Sequence, residues 1–150
     1  MSTIFTIGFT GKSAPVFFDL LTTAGIKTVL DTRLNNTSQL AGFSKKEDLR
    51  FFLSEIGDIK YIESKDLAPE KSLLKRYQRK EVSWEVYEEE YINLLEKRNV
   101  ERLIDRDVVS GGCLLCSEHL PHNCHRRLAA EYLQSHWGAS FDIKHLVNTK

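Results

Sequence analysis

The order of apolar patterns along the chain leaves few folds open to it. Ile4-Phe5-Thr6-Ile7 is a short β-prone run closed by Gly8. Ser13 then opens a segment with Val16, Phe17, Leu20, Leu21 and Ala24 at helical spacing, stopped by Gly25. Thr28-Val29-Leu30 is a second strand that ends at Asp31. Ser44-Lys45-Lys46-Glu47 has the form of a capping box, in which hydroxyl and carboxylate each satisfy an open backbone donor. Leu49, Phe52, Leu53 and Ile56 follow as one buried stripe before Gly57. Strands separated by helices need crossovers, and crossovers make parallel neighbours. The expectation is an α/β fold: a mostly parallel central sheet with helices on both faces, spanning residues 1–150 as a single domain.

The remaining chain continues the pattern. Lys60-Tyr61-Ile62 reads as a third strand, and Leu73, Leu74 and Tyr77 mark a small helix in a charged stretch. Trp84, Tyr87, Tyr91, Leu94 and Leu95 define a long amphipathic helix from Ser83 to Arg98. Gly111-Gly112 breaks the chain before Cys113-Leu114-Leu115-Cys116, an apolar run expected to be a buried strand. Asn123 is placed to cap a last helix, with Leu128, Ala129, Tyr132 and Leu133 inward, and Phe141 to Leu146 adds an edge strand. In open α/β sheets, ligands sit beyond the carboxyl ends of strands. That rule selects Gly8 to Ser13, Asp31 to Ser38 and Cys116 to Arg127, which are expected to converge on one site.

Composition narrows the chemistry. Lys and Arg number 21, as do Asp and Glu, so the formal net charge is zero. Bulk charge therefore does not drive binding to nucleic acid or to an acidic membrane. No apolar run approaches the ~20 residues of a membrane span, and no basic-then-apolar leader opens the chain. The expectation is a cytoplasmic protein with no membrane partner, where a structural disulfide framework is not anticipated. All three cysteines, Cys113, Cys116 and Cys124, lie close together, and His119, His122 and His125 share their neighbourhood. Thiols and imidazoles are the side chains best suited to nucleophilic and metal chemistry near neutral pH.

Within that segment, a helix starting near Cys124 would place the thiol beside open backbone N–H groups, which favour an anion and lower a thiol pKa. Arg126 and Arg127 oppose the helix dipole there, a conflict that an anionic ligand would relieve. Cys116, at a strand end, is a candidate nucleophile, with Glu118 and His125 as proton-transfer groups. Cys113 is expected to point to the opposite face of its strand and to be structural. Asp31 would orient Arg33 as an anion clamp from the second strand, and Gly8 would let backbone approach the ligand. A zinc site built on Cys113, Cys116, Cys124 and His125, or on His119 and His122, is disfavoured because two leucines between the first cysteines indicate a strand rather than a knuckle. Thr6 to Ser13 ends like a phosphate-binding loop but lacks its first glycine. Neither a metal nor another cofactor is expected.

Together these residues resemble domain-of-unknown-function family 488. The resemblance rests on Thr6-Ile7-Gly8, Asp31-Thr32-Arg33-Leu34-Asn35, Ser38-Gln39-Leu40-Ala41-Gly42-Phe43, Leu67-Ala68-Pro69, Trp84 with Tyr87 and Tyr91, and Cys113 to Glu118 through Cys124-His125-Arg126-Arg127. Many relatives carry His after the first glycine, where this chain has Phe9. It implies small α/β proteins and a common site without implying a reaction. A more distant outline, with Asp31-Thr32-Arg33, Cys116, Arg126 and Ala129-Ala130, is similar to rhodanese-like sulfurtransferases. The expected function is an enzyme that holds an anionic small molecule, phosphorylated or sulfur-bearing, in a Cys/His/Arg site. The alternative is a non-catalytic module that binds nucleotide or nucleic-acid phosphate.

Overall fold

The computed structural model describes residues 2–34, 43, 45–117, 124–138 and 140–147. Among the described residues five strands form one sheet: β1 (Ser2–Gly8), β2 (Thr28–Asp31), β3 (Lys60–Glu63), β4 (Cys113–Cys116) and β5 (Phe141–Leu146). Their order is β3-β2-β4-β1-β5, and every pairing is parallel. The helices are α1 (Ala14–Thr23), α2 (Lys46–Gly57), α3 (Lys71–Gln78), α4 (Trp84–Arg98), α5 (Val100–Leu103), α6 (Arg106–Val109) and α7 (His125–Trp137). The expected α/β architecture is present, with β5 and β3 at the edges.

Strand periodicity divides the core into two layers. Ile4, Leu30 and Leu114 face α4 and α7, where they meet Tyr91, Leu95, Leu128 and Leu133. Ile7, Val29, Cys113 and Leu115 face α1 and α2, against Phe17, Leu21, Leu49 and Leu53. The central strands β2 and β4 are buried along their whole length, as apolar runs covered on both faces should be.

Helix ends follow local chemistry with small departures from expectation. Ser13 and Ser83 cap α1 and α4 by accepting from the N–H groups of Val16 and Val86. Ser44 lies outside the described residues, and Lys45 occupies the cap position of α2 without a side-chain bond. The left-handed residue after α2 is Asp58, with φ 52°, so the helix runs through Gly57. Ile56 is 52% exposed because the stripe of α2 turns out of the core in its last turn. Cys124 is the cap residue of α7, while Asn123 lies outside the described residues. Among the described residues no helix is long and apolar enough to cross a membrane.

Candidate active site

Strand register brings the selected segments together. Gly8 is opposite Cys116, and Asp31 is opposite Leu115, so the carboxyl ends of β1, β4 and β2 stand side by side. Beyond them the β1–α1 turn is tied to the β4 exit by Thr10 N–H donating to Ser117 O at 3.0 Å. The Thr32 N–H and hydroxyl both donate to Leu115 O, at 2.9 and 2.8 Å. These bonds fix the backbone that carries Cys116 and Arg33.

Asp31 and Arg33 form a buried, two-toothed pair. Arg33 Nε donates to Oδ1 at 2.8 Å and Nη2 to Oδ2 at 2.9 Å, and the Arg33 N–H adds a third bond to Oδ1. Tyr61, on β3, donates its hydroxyl to Oδ2 at 2.5 Å. The Arg33 guanidinium lies 5.3 Å from the centre of the Phe9 ring. A planar fork gripped by a carboxylate and laid against a ring holds one orientation. Asp31 therefore positions Arg33, and it neutralises much of the charge that Arg33 could offer an anion.

Arg126 packs against the sulfurs. Its side chain is fully buried; Nε donates to Thr6 Oγ1 at 3.2 Å, and Nη1 lies 3.3 Å from Cys116 Sγ and 3.9 Å from Cys124 Sγ. Cys116 and Cys124 are joined to each other as a disulfide, and Cys113 is a buried free thiol in the opposite layer. The Thr6 hydroxyl that accepts from Arg126 also lies 2.5 Å from His145 Nδ1, so it links the two side chains. Burial first and the Arg126 charge second hold the His145 pKa below its usual value.

His125 is positioned by the β2 exit. Its Nε2 lies 3.0 Å from Thr32 O and 3.1 Å from Thr32 Oγ1. Because the Thr32 hydroxyl proton is given to Leu115 O, both oxygens accept from a single Nε2–H. Nδ1 is then the basic nitrogen of the neutral ring. Desolvation pushes the His125 pKa down to about 4, the Thr32 carbonyl opposes this, and Arg126 reinforces it. At neutral pH His125 donates from Nε2 to Thr32 and leaves Nδ1 as an acceptor. Tyr91, whose hydroxyl is held by Leu67 O at 2.6 Å, packs edge-on against its ring.

The other candidates are distributed unevenly. Arg127 turns to Glu131 and Glu88, at 3.1 and 3.4 Å, as the i,i+4 partner of the former. Glu118, His119 and His122 lie outside the described residues. Lys12 is a residue that sequence reasoning passed over: only 7% exposed, it has its pKa lowered to about 8 by burial and then by Arg126. The signal that points to it is a basic residue directly after Gly11 in the turn that follows β1. Tyr61 was a candidate stacking ring and is found instead donating to Asp31, while Thr6, within β1, and Thr32, just past β2, were given no role because a hydroxyl there carries no distinctive spacing.

A cavity of about 590 Å³ opens over this floor. Cys116, Cys124, His125 and Arg33 form part of its wall, and Tyr77, Trp84 and Tyr87 form another. The volume is that of a small-molecule site. Ligand atoms of Cys116, Cys124 and His125 all lie within 4.8 Å of one another, a soft donor set in type. Joined sulfurs are not thiolate ligands, however, and the buried Arg126 cation on both sulfurs opposes a second cation. The donor set fits thiol chemistry better than a metal.

The family model described as Domain of unknown function DUF488 matches residues 13–133. The chain belongs to that family. The DUF488 match covers β2, β4, α4 and most of α7, and with them Asp31, Arg33, Cys116, Cys124, His125 and Arg126. Neither a curated protein nor a solved structure matches the chain.

Proposed function

We propose that this DUF488 protein is a cytoplasmic enzyme that uses Cys116 and Cys124 as a dithiol–disulfide pair on an anionic small molecule, sulfur-bearing or phosphorylated, held in the cavity. The observation that carries this reading is the buried Arg126 guanidinium touching both sulfurs. A cation in a low-dielectric site favours thiolate over thiol, which makes a nucleophile near neutral pH. In a reducing compartment, disulfides are chiefly transient and catalytic, so compartment and pair support each other.

With a disulfide-like substrate, the reduced Cys116 thiolate attacks one sulfur, the substrate S–S bond breaks, and the departing thiolate carries off the electron pair. Cys124 then attacks Cys116 Sγ, expels the second substrate thiolate and leaves the Cys116–Cys124 disulfide. Two electrons have passed to the substrate, and an external low-molecular-weight dithiol restores the pair. The proton of the second thiol passes to solvent through the open cavity, and Arg126 stabilises the thiolate it leaves behind.

The test is alkylation of the reduced protein as a function of pH, with Cys124→Ser and Cys116→Ser proteins to assign each thiol. The expected midpoint for at least one of them lies below the ~8.5 of a free thiol. Ordinary midpoints for both would overturn the enzyme reading.

A further inference from the structure

Reactive thiols need little room, yet the cavity above them extends to a wall of rings. Trp84 and Tyr87 are stacked, with centroids 5.1 Å apart and planes 19° from parallel. Tyr77 closes the group at 5.6 Å from Trp84 and 5.0 Å from Tyr87. The three differ in what else they do. Tyr87 is buried in the α4–α7 layer, whereas Tyr77 and Trp84 are only half-buried and pack against that layer from outside. Leu74 and Val82 add apolar flanks to the same wall, and Lys80 brings an exposed cation to it.

We infer that the molecule bound here is a ring-bearing anion of the nucleotide class, its flat ring against Tyr77 and Trp84 and its reactive end at Cys116 and Cys124. This rests on the enzyme reading for the thiol end and adds the part of the substrate that does not react. Three features of the wall favour such a ring. Aromatic faces bind any flat π-system by stacking. A cavity of about 590 Å³ holds a ring together with an anionic substituent and exceeds what a bare anion fills. Arg126, held against the two sulfurs of the floor, and Lys80, on the wall, place positive charge beside the cavity although the whole chain is neutral. Binding energy from the ring would hold the reactive end in place, so the thiols need supply only the chemistry.

The experiment uses the full chain carrying Trp137→Phe, which leaves Trp84 as the sole tryptophan. The four ribonucleoside monophosphates, inorganic phosphate and a single-stranded oligonucleotide are titrated against its emission. At least one monophosphate is expected to quench Trp84, and inorganic phosphate is expected to leave it unchanged. Equilibrium dialysis of that nucleotide should show roughly tenfold weaker binding to Trp84→Leu and near-native binding to Trp84→Phe, the size expected for one lost stacking contact. Failure of all four nucleotides to bind, or equal binding to Trp84→Leu, overturns the assignment. An oligonucleotide that binds far more tightly than its monomers, with steep salt dependence, overturns it in favour of a nucleic-acid module. Nucleotide binding with ordinary thiol pKa values would sink the enzyme reading alone. Depressed thiol pKa values without nucleotide binding would sink the ring alone.

Discussion

Arg126 Nη1 lies 3.3 Å from Cys116 Sγ, and its Nε is held at 3.2 Å by the Thr6 hydroxyl on the neighbouring strand. The guanidinium is thus fixed from one side and turned to sulfur on the other. Replacing it with a neutral chain of similar length, Arg126→Met, removes the charge that stabilises the thiolates. The alkylation midpoint of the more acidic thiol should rise by about one pH unit or more, with Arg126→Lys intermediate. Folding stability is a poor guide here, because an apolar residue can replace a buried charge at little cost. The pH profile of alkylation is the measurement that decides.

Asp31 is the counterweight on the next strand. It is fully buried, and Arg33 beside it is 4% exposed. Asp31→Asn leaves the Arg33 cation buried without its carboxylate and weakens the bond from Tyr61. A loss of about 3–5 kcal/mol in urea unfolding is expected. Tyr61→Phe removes a single charge-assisted bond and should cost about 1.5–3 kcal/mol. If Asp31→Asn cost no more than Tyr61→Phe, the pair would be contributing little to the strand end.

How far the sequence reveals this site depends on which signals are local. Cys113-Leu114-Leu115-Cys116 announces its own strand, and the odd spacing of its cysteines already separates them onto opposite faces, as found. The Ser13 cap and the α4 stripe are local in the same way. The closeness of Asp31, Cys116 and His125 follows from the rule for strand ends in parallel sheets. What the chain hides is partner choice. Nothing in residue order separates Arg126, turned in to the sulfurs, from Arg127, turned out to Glu131 and Glu88. A helix rotates about 100° per residue, so neighbours of one type face different surroundings. Cys116 and Cys124 were expected to be reactive, but their bond to each other depends on the path between them, not on spacing.

His125 should make the protein acid-sensitive. Its folded pKa, about 4, lies below the 6.5 of the unfolded chain. Between those values the unfolded state binds the proton and the folded state does not, so stability falls as pH drops from 6.5 toward 4. Above 6.5 both states are neutral and His125 contributes no slope. The full effect is about 3 kcal/mol as an upper limit, reduced by the part of the ring that faces the cavity. Urea unfolding at pH 7.0 and 4.5 should show this loss in the native protein and a smaller one in His125→Asn. Equal losses in the two would mean that other groups carry the acid sensitivity.

Cys113 supplies an internal control for all thiol measurements. Its side chain is fully buried beside Leu115 and Val29, and burial pushes its pKa far above the usual thiol range. A buried neutral thiol is a weak nucleophile and reagent cannot reach it. The oxidised native protein should therefore show no fast-reacting thiol, because Cys116 and Cys124 are joined. Mild reduction should release two fast thiols and leave Cys113 protected. Its labelling should track the equilibrium fraction unfolded, accelerating with urea in proportion to that fraction. Mass spectrometry of labelled peptides assigns each site, and Cys113→Ala, a small buried change, should remove the slow phase without moving the fast ones. Fast labelling of Cys113 in the reduced native protein would show that β4 opens locally. The strand that presents Cys116 would then be less rigid than its burial implies.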